Sequence, residues 1–247
     1  MSVYVRLASL LLPCVSMLGT TAEAHTPVDF LEVLEVKPAQ MIEHGVQLKT
    51  RFDAEPVPTD LRGPKFFSQA IGALGRDRKT PLAYLNWFSI ANVKSEPVRS
   101  LAILDMVRGS TSKNLTIGDA QYFLSTAQRI TSGAPEPIPD GLDLYKAYRV
   151  MDGGSVDLDL EMTGAVGTSK RTVGKPLFVC LPTAEWHHDE RFTPSHPKDC
   201  FVVYELNAGA PLQRTFSTID QFGLNELEAG DKSWICVRAA FLRVNEK

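Results

Sequence analysis

Cysteine is scarce in this chain: four in 247 residues, one of them (Cys14) in an N-terminal segment with the marks of a leader. Three remaining thiols exclude a disulfide-dense scaffold of the kind small secreted domains use. Cationic excess is also missing, since 26 Lys and Arg stand against 29 Asp and Glu for a net charge of −3. With no basic run, nucleic-acid binding, which needs a cationic footprint, is set aside. Beyond residue 24 no apolar run approaches the ~20 residues of a transmembrane helix, so the mature chain is expected to be soluble or held at a surface by a partner. No G-x-S-x-G elbow, P-loop, G-x-G-x-x-G, H-E-x-x-H or EF-hand loop occurs, which removes the nucleotide, metalloprotease and calcium classes those motifs define. A dispersed Ser/His/acid triad would leave no such trace, because its members need not be close in sequence.

What is present begins with the leader. Arg6 supplies a positive n-region, residues 7–18 an apolar h-region, and Ala22-Glu23-Ala24 a small-x-small cleavage site. Residues 1–24 are therefore expected to be a cleaved signal peptide and the mature chain to start at His25, exported to the periplasm or secreted. The rival, lipidation at Cys14, is disfavoured by Pro13 immediately before it.

Self-comparison shows a repeat. At an offset of 56, LYKAYRV (144–150) lies over CFVVYEL (200–206) and VGKPLFVCLPTA (173–184) over AGDKSWICVRAA (229–240). Weaker copies extend to the N-terminal half. Gly63, Gly118, Gly174 and Gly230 are spaced by 55, 56 and 56, and an aromatic stands four residues after each: Phe67, Tyr122, Phe178 and Trp234. Upstream, FLEVLEV (30–36) and YLNWFSI (84–90) match the aromatic-rich block. Each unit reads as three strands. Strand A is that block, strand B alternates apolar and polar residues as in VDLDLEM (156–162), and strand C carries the Gly and the aromatic. Asp152-Gly153-Gly154 and Asn207-Ala208-Gly209 read as hairpin turns between A and B. IGDAQYFLSTAQRI (117–130) could pass for a helix, but the repeat register assigns strand.

The expected fold is all-β: four tandem three-stranded units of about 56 residues. One such unit cannot bury both its apolar face and its edges. The Pro-rich stretch 132–141 is taken as a linker between a divergent, cysteine-free pair of units (25–131) and a second pair (142–247), each packed as a sandwich. A closed ring of four units is the alternative.

Cys200 with Tyr204, Asp220-Gln221-Phe222-Gly223, and Val179-Cys180-Leu181-Pro182 carry a resemblance to a tandem module of secreted bacterial proteins of unknown function. It covers residues 142–247, and the first half departs from it in lacking both the cysteines and Asp-Gln-Phe-Gly. The resemblance implies a repeat architecture and export, and brings no activity with it.

The densest polar cluster, WHHDERFTPSHPKDC (186–200), makes His187, His188 and His196 candidate metal ligands, with His25 as a chelating mature N-terminus. Imidazole with carboxylate suits Zn²⁺ or Cu²⁺. The competing expectation is a solvated loop, and no cofactor is expected. Asp157, Asp159 and Glu161 alternate along one strand, which reads as a solvated face rather than a calcium loop. If A and C run the same way in a meander, the tail of C lies near the head of the next A, which predicts a Cys180–Cys200 disulfide and an unpaired Cys236. The functional expectation is a secreted, non-catalytic binding or structural repeat protein with an unidentified extracellular or periplasmic partner. A periplasmic metal-binding protein and a hydrolase with a dispersed site are the alternatives.

Overall fold

Short runs that alternate apolar with polar residues, or that fill with β-branched and aromatic side chains, suit a pleated backbone. The computed structural model describes residues 26–93, 95–109, 111–164, 167–207 and 214–245; the expected signal peptide with Cys14, and His25, lie outside them. Among the described residues every regular element is a strand, and no helix is long and apolar enough to cross a membrane.

The first unit holds β1 (Phe30–Pro38), β2 (Ile42–Lys49) and β3 (Val57–Ala70), followed by the short β4 (Gly72–Ala73). The second holds β5 (Tyr84–Ile90), β6 (Arg99–Asp105) and β7 (Lys113–Thr131), then β8 (Ala134–Pro135). The third holds β9 (Tyr145–Val150), β10 (Leu158–Gly164) and β11 (Gly167–Pro182), then β12 (Ala184–His187) and β13 (Glu190–Phe192). The fourth holds β14 (Asp199–Leu206), β15 (Thr215–Asp220) and β16 (Gly223–Asn245). The segment that could pass for a helix is strand β7.

Each A strand pairs antiparallel with the C strand of its own unit: β1 with β3, β5 with β7, β9 with β11, β14 with β16. It also pairs with the C strand of the unit before: β5 with β3, β9 with β7, β14 with β11, and β1 with β16. These eight ladders close on themselves as a barrel, which leaves none of the eight strands an edge. The strands do not divide into two sandwiches at residues 132–141. The β7–β9 ladder bridges that segment, and Tyr84 Oη donates to Glu136 Oε2 at 2.7 Å, tying it to the barrel.

The B strands lie outside this barrel. β2, β6, β10 and β15 each pair with the first half of their own C strand. Their other edges are taken by the chain at the end of the C strand two units away: β12 on β2, the end of β16 on β6, β4 on β10, and the end of β7 on β15. A and C are thus antiparallel, not parallel, within each unit. Asp152-Gly153-Gly154 is not a hairpin turn; it carries the chain from β9 on the barrel to β10 outside it. Ala208 and Gly209 of the second expected turn lie outside the described residues. A meander fails because the C strands, 14, 19, 16 and 23 residues long, have room for two partners in succession.

The repeated glycines mark the change of partner. Register shifts fall between Arg62 and Phe66, Ile117 and Ala120, Val173 and Pro176, and opposite Leu34/Val36, so Gly63, Gly118, Gly174 and Gly230 all sit at bulges. A bulge bends a strand and adds twist, which takes C from the B hairpin onto the barrel. At Gly63 the backbone has φ 140°, and a Cβ would stand 2.9 Å from the Lys65 nitrogen.

Side chains at alternate positions fill the barrel: Leu31, Leu85, Tyr145 and Phe201 in one layer, and Val33, Trp87, Ala147 and Val203 in the next, all buried. Eight strands enclose a space that side chains alone can fill. The second layer meets a ring of aromatics from the C strands, in which Phe66 lies 4.2 Å from Trp234 and 5.4 Å from Tyr122, and Phe178 lies 5.4 Å from both Tyr122 and Trp234. The first-unit member is Phe66, not Phe67. Phe67 points outward and packs on Tyr84 and Phe216. Relative to its glycine the first-unit bulge is one residue out of phase with its counterparts, Phe66 following Gly63 by three residues where Tyr122, Phe178 and Trp234 follow their glycines by four, and a one-residue slip exchanges the two faces of a strand. Because both faces of the barrel strands are covered, the A blocks read as near-continuous apolar runs, as in buried Cys200–Tyr204.

The cysteines follow the same parity. Cys180 lies across the β11–β14 ladder from Phe201, so Cys200 is one position out of step with it. Cys180 packs in the barrel interior and Cys200 in the outer core. The expected Cys180–Cys200 disulfide is absent, and Cys180, Cys200 and Cys236 are all free, buried thiols.

Candidate functional site

The histidine-rich segment becomes a hairpin because β11 does not stop at the barrel. After Pro182 the chain continues outward as β12, which pairs with β2 through Ala184↔Lys49, Glu185↔Leu48 and Trp186↔Gln47. It then returns as β13, with His187 opposite Glu190. The turn places His188 in the left-handed region at φ 53°, unusual for a residue with a Cβ.

Alternation puts Glu185 and His187 on one face of β12. Facing them is the β15–β16 turn, Asp220-Gln221-Phe222-Gly223. Asp220 Oδ1 accepts the Phe222 N–H at 2.8 Å, and its Oδ2 accepts Asn86 Nδ2 at 2.7 Å. Gln221 Nε2 donates to both oxygens of Glu185 at 2.8 Å. Gly223 turns the chain with φ 117°. Phe222 packs edge-on to Phe88 at 4.9 Å and anchors the turn in the outer core. The four-residue motif is therefore a clasp: a cap, a clamp, a plug and a turn. It joins the fourth unit to the extension of the third.

Two histidines from different elements meet on Phe222. His44 of β2 stacks on its ring at 4.5 Å and 20°, and His187 meets its edge at 5.3 Å. The His44 and His187 ring centroids are 6.2 Å apart, and His187 and His188 are 4.1 Å apart. His44 Nε2 is buried without a hydrogen-bond partner. Burial, then the neighbouring His188, lowers the pKa of His44 and of His187; His44 adds to the shift at His187 and Glu190 opposes it. Burial pushes Glu185 up to about 7, with the Gln221 amide opposing and the charge of Asp220 reinforcing. Asp220 is also raised by burial, against its hydrogen bonds from Asn86, Phe222, Asn225 and Gly223.

The structure brings together His187 and His188 of the expected ligands and adds His44, which lies far from them in sequence. Its only signal was its alternation with Val46 and Leu48 on the buried face of β2. His196 is elsewhere. Its backbone N–H and that of Ser195 donate to Asp143 at 2.9 and 2.7 Å, and its ring lies 3.6 Å from the same carboxylate. His25 lies outside the described residues. Among the described residues no group of three or more His, Cys, Asp or Glu side chains is placed so that it could hold a metal ion. Asp159 and Glu161 are exposed on β10, a solvated face.

Other polar groups are committed to the fold. A concavity of about 430 Å³ is lined by Arg76, Asp105, Asp199 and Arg238 among others. Asp105 accepts the N–H groups of Val107 and Arg108 and the Tyr204 hydroxyl, and Asp199 accepts the Thr26 N–H. Burial raises the pKa of all three thiols, which disfavours the nucleophilic thiolate.

A family model described as a repeat of unknown function matches residues 84–238, from the first residue of β5 into β16. No curated protein matches the chain, and no solved structure matches it.

Proposed function

From the premise that this chain belongs to the repeat family of unknown function DUF7450, we propose that it is an exported, non-catalytic β-repeat protein that binds a partner or builds a structure outside the cytoplasm. The observation that carries this is the use made of buried ionisable groups. Asp220, Glu185, Asp143 and Asp105 each satisfy a turn, a clamp or a neighbouring strand. The raised pKa values of Glu185, Asp220 and Asp143 go with these structural hydrogen bonds, and structural networks perturb carboxyl groups as active sites do. The leader, with its ordered n-, h- and c-regions, supports export.

Expression of the full chain in a bacterial host, with fractionation and N-terminal sequencing, tests export. The expected product starts at His25 in the periplasm or medium; a cytoplasmic product starting at Met1 overturns this part. Turnover of a chromogenic ester, glycoside or peptide substrate, co-purifying with the protein, would overturn the non-catalytic part.

A further inference from the structure

A groove of about 420 Å³ opens where the turn between β2 and β3 meets the chain that runs from the end of β11 through β13 to Pro197. It exists because β12 pairs with β2, so its two walls come from the first and third units. Its volume falls within the ~300–1,000 Å³ of small-ligand sites. Three cations line it, Lys49, Arg51 and Arg191, against one carboxylate, Glu55. In a chain of net charge −3 this is a local reversal of sign. The cations are held in place without being neutralised. Lys49 Nζ donates to the Ala54 carbonyl and Arg51 Nη2 to the Pro197 carbonyl. The Arg51 guanidinium also lies 3.8 Å over the Phe241 ring. Arg191 stands opposite Trp186 across the β12–β13 ladder, its guanidinium 5.1 Å from the ring centroid. Among the described residues no carboxylate is within ion-pair distance of any of the three.

The rest of the lining narrows the ligand. Pro56, Pro182, Pro194 and Pro197 carry no N–H, and the Thr50 N–H and hydroxyl are both given to Asp53. The groove therefore offers an extended peptide few of the main-chain donors that strand addition uses. Its donors are the three charged side chains, and its flat apolar surfaces are Trp186 and the prolines. An ionised carboxylate is acceptor-only, and a planar guanidinium meets it with two parallel N–H groups. We infer that this groove binds an anionic saccharide: a uronic acid unit whose carboxylate is held by Arg51 and Arg191, with Lys49 beside them, and whose C–H face lies against Trp186. The inference names the ligand class for the binding role proposed above and rests on that reading, though not on export.

The test is calorimetric titration of the full chain, purified without a histidine tag, with trigalacturonic acid, with the uncharged galactose trimer and with a peptide of three glutamates. The expected result is one site for the acidic sugar, weakening as sodium chloride rises, with the other two bound at least about tenfold more weakly. Arg51→Gln and Arg191→Gln should each weaken the acidic sugar at least about tenfold, the size of a lost hydrogen bond to a charged group. Arg191 is exposed, so its variant should keep the melting midpoint of the parent. Glu55→Gln removes the one carboxylate of the lining and should tighten binding, a gain that a folding defect does not produce. No binding of the acidic sugar, equal binding of the neutral one, or binding indifferent to both arginine variants would overturn the assignment. Binding of the peptide as tightly as the sugar would overturn it too, while leaving the non-catalytic binding role in place. Export, read by N-terminal sequencing, is independent of all these outcomes.

Discussion

Glu205 stands directly opposite Trp234 across the β14–β16 ladder, and the same relationship sets Glu35 against Phe66, Ser89 against Tyr122, and Arg149 against Phe178. Glu35, Arg149 and Glu205 are exposed while the layer containing Trp87 is buried. The barrel interior therefore ends at the aromatic ring, and four units place that boundary at one register.

Trp234→Ala removes the ring that touches Phe66, Phe178 and Trp87. Large-to-small changes of this kind cost ~3–5 kcal/mol. Denaturant unfolding should show a loss of that size, and Phe66→Ala should match it as the equivalent residue of the first unit. An unmoved midpoint would place Trp234 outside the core.

Gly63→Ala meets two obstacles, a φ of 140° and a Cβ 2.9 Å from the Lys65 nitrogen. A non-glycine residue held in such a conformation costs about 1–3 kcal/mol. Gly45, with open space around its Cβ position, is the control. Thermal melts should separate the two alanine variants, with Gly63→Ala the lower.

Glu185 sets a pH dependence. Its pKa rises on folding from 4.5 to about 7, so the folded state holds the proton more tightly. That stability is fully present below pH 4.5 and is lost as pH rises through 7. At ~1.36 kcal/mol per pH unit the loss reaches about 3 kcal/mol at alkaline pH. Glu185→Gln should abolish this decline, so its stability relative to the parent should improve from pH 5 to pH 8. His44 and His187, lowered on folding, act at the other end. Their contribution is present above about pH 6.5 and falls as pH drops through the lowered folded values. A parent and a Glu185→Gln variant with parallel profiles above pH 5 would contradict the assignment of the buried charge to Glu185.

The thiols give a chemical check. Cys180, Cys200 and Cys236 are buried and free. A thiol-specific chromophore should not react with Cys180, Cys200 and Cys236 in the native protein, and should reach all three after denaturation without reductant. A single equivalent would indicate a disulfide and a different strand parity.

Sequence alone determined the elements and their period. The A blocks, the alternation in β10 and the offset of 56 residues are local properties, and hydrophobic periodicity expresses them directly. The bulge glycines were legible for the same reason, since a repeated Gly at a strand interior marks a backbone requirement. Partner choice was not legible. Antiparallel ladders obey no rule of chain proximity once a C strand is long enough to serve B and then A, so the expected meander, the parallel A and C strands and the Cys180–Cys200 bond fell together. Parity was lost at Gly63, where a bulge one residue out of phase turned Phe66 inward and Phe67 outward. The imidazole cluster was half visible. His187 and His188 are neighbours in sequence, but His44 joins them only because β12 pairs with β2 across some 140 residues. That contact is decided by closure of the barrel, which brings the tail of one unit onto the hairpin of the unit two away.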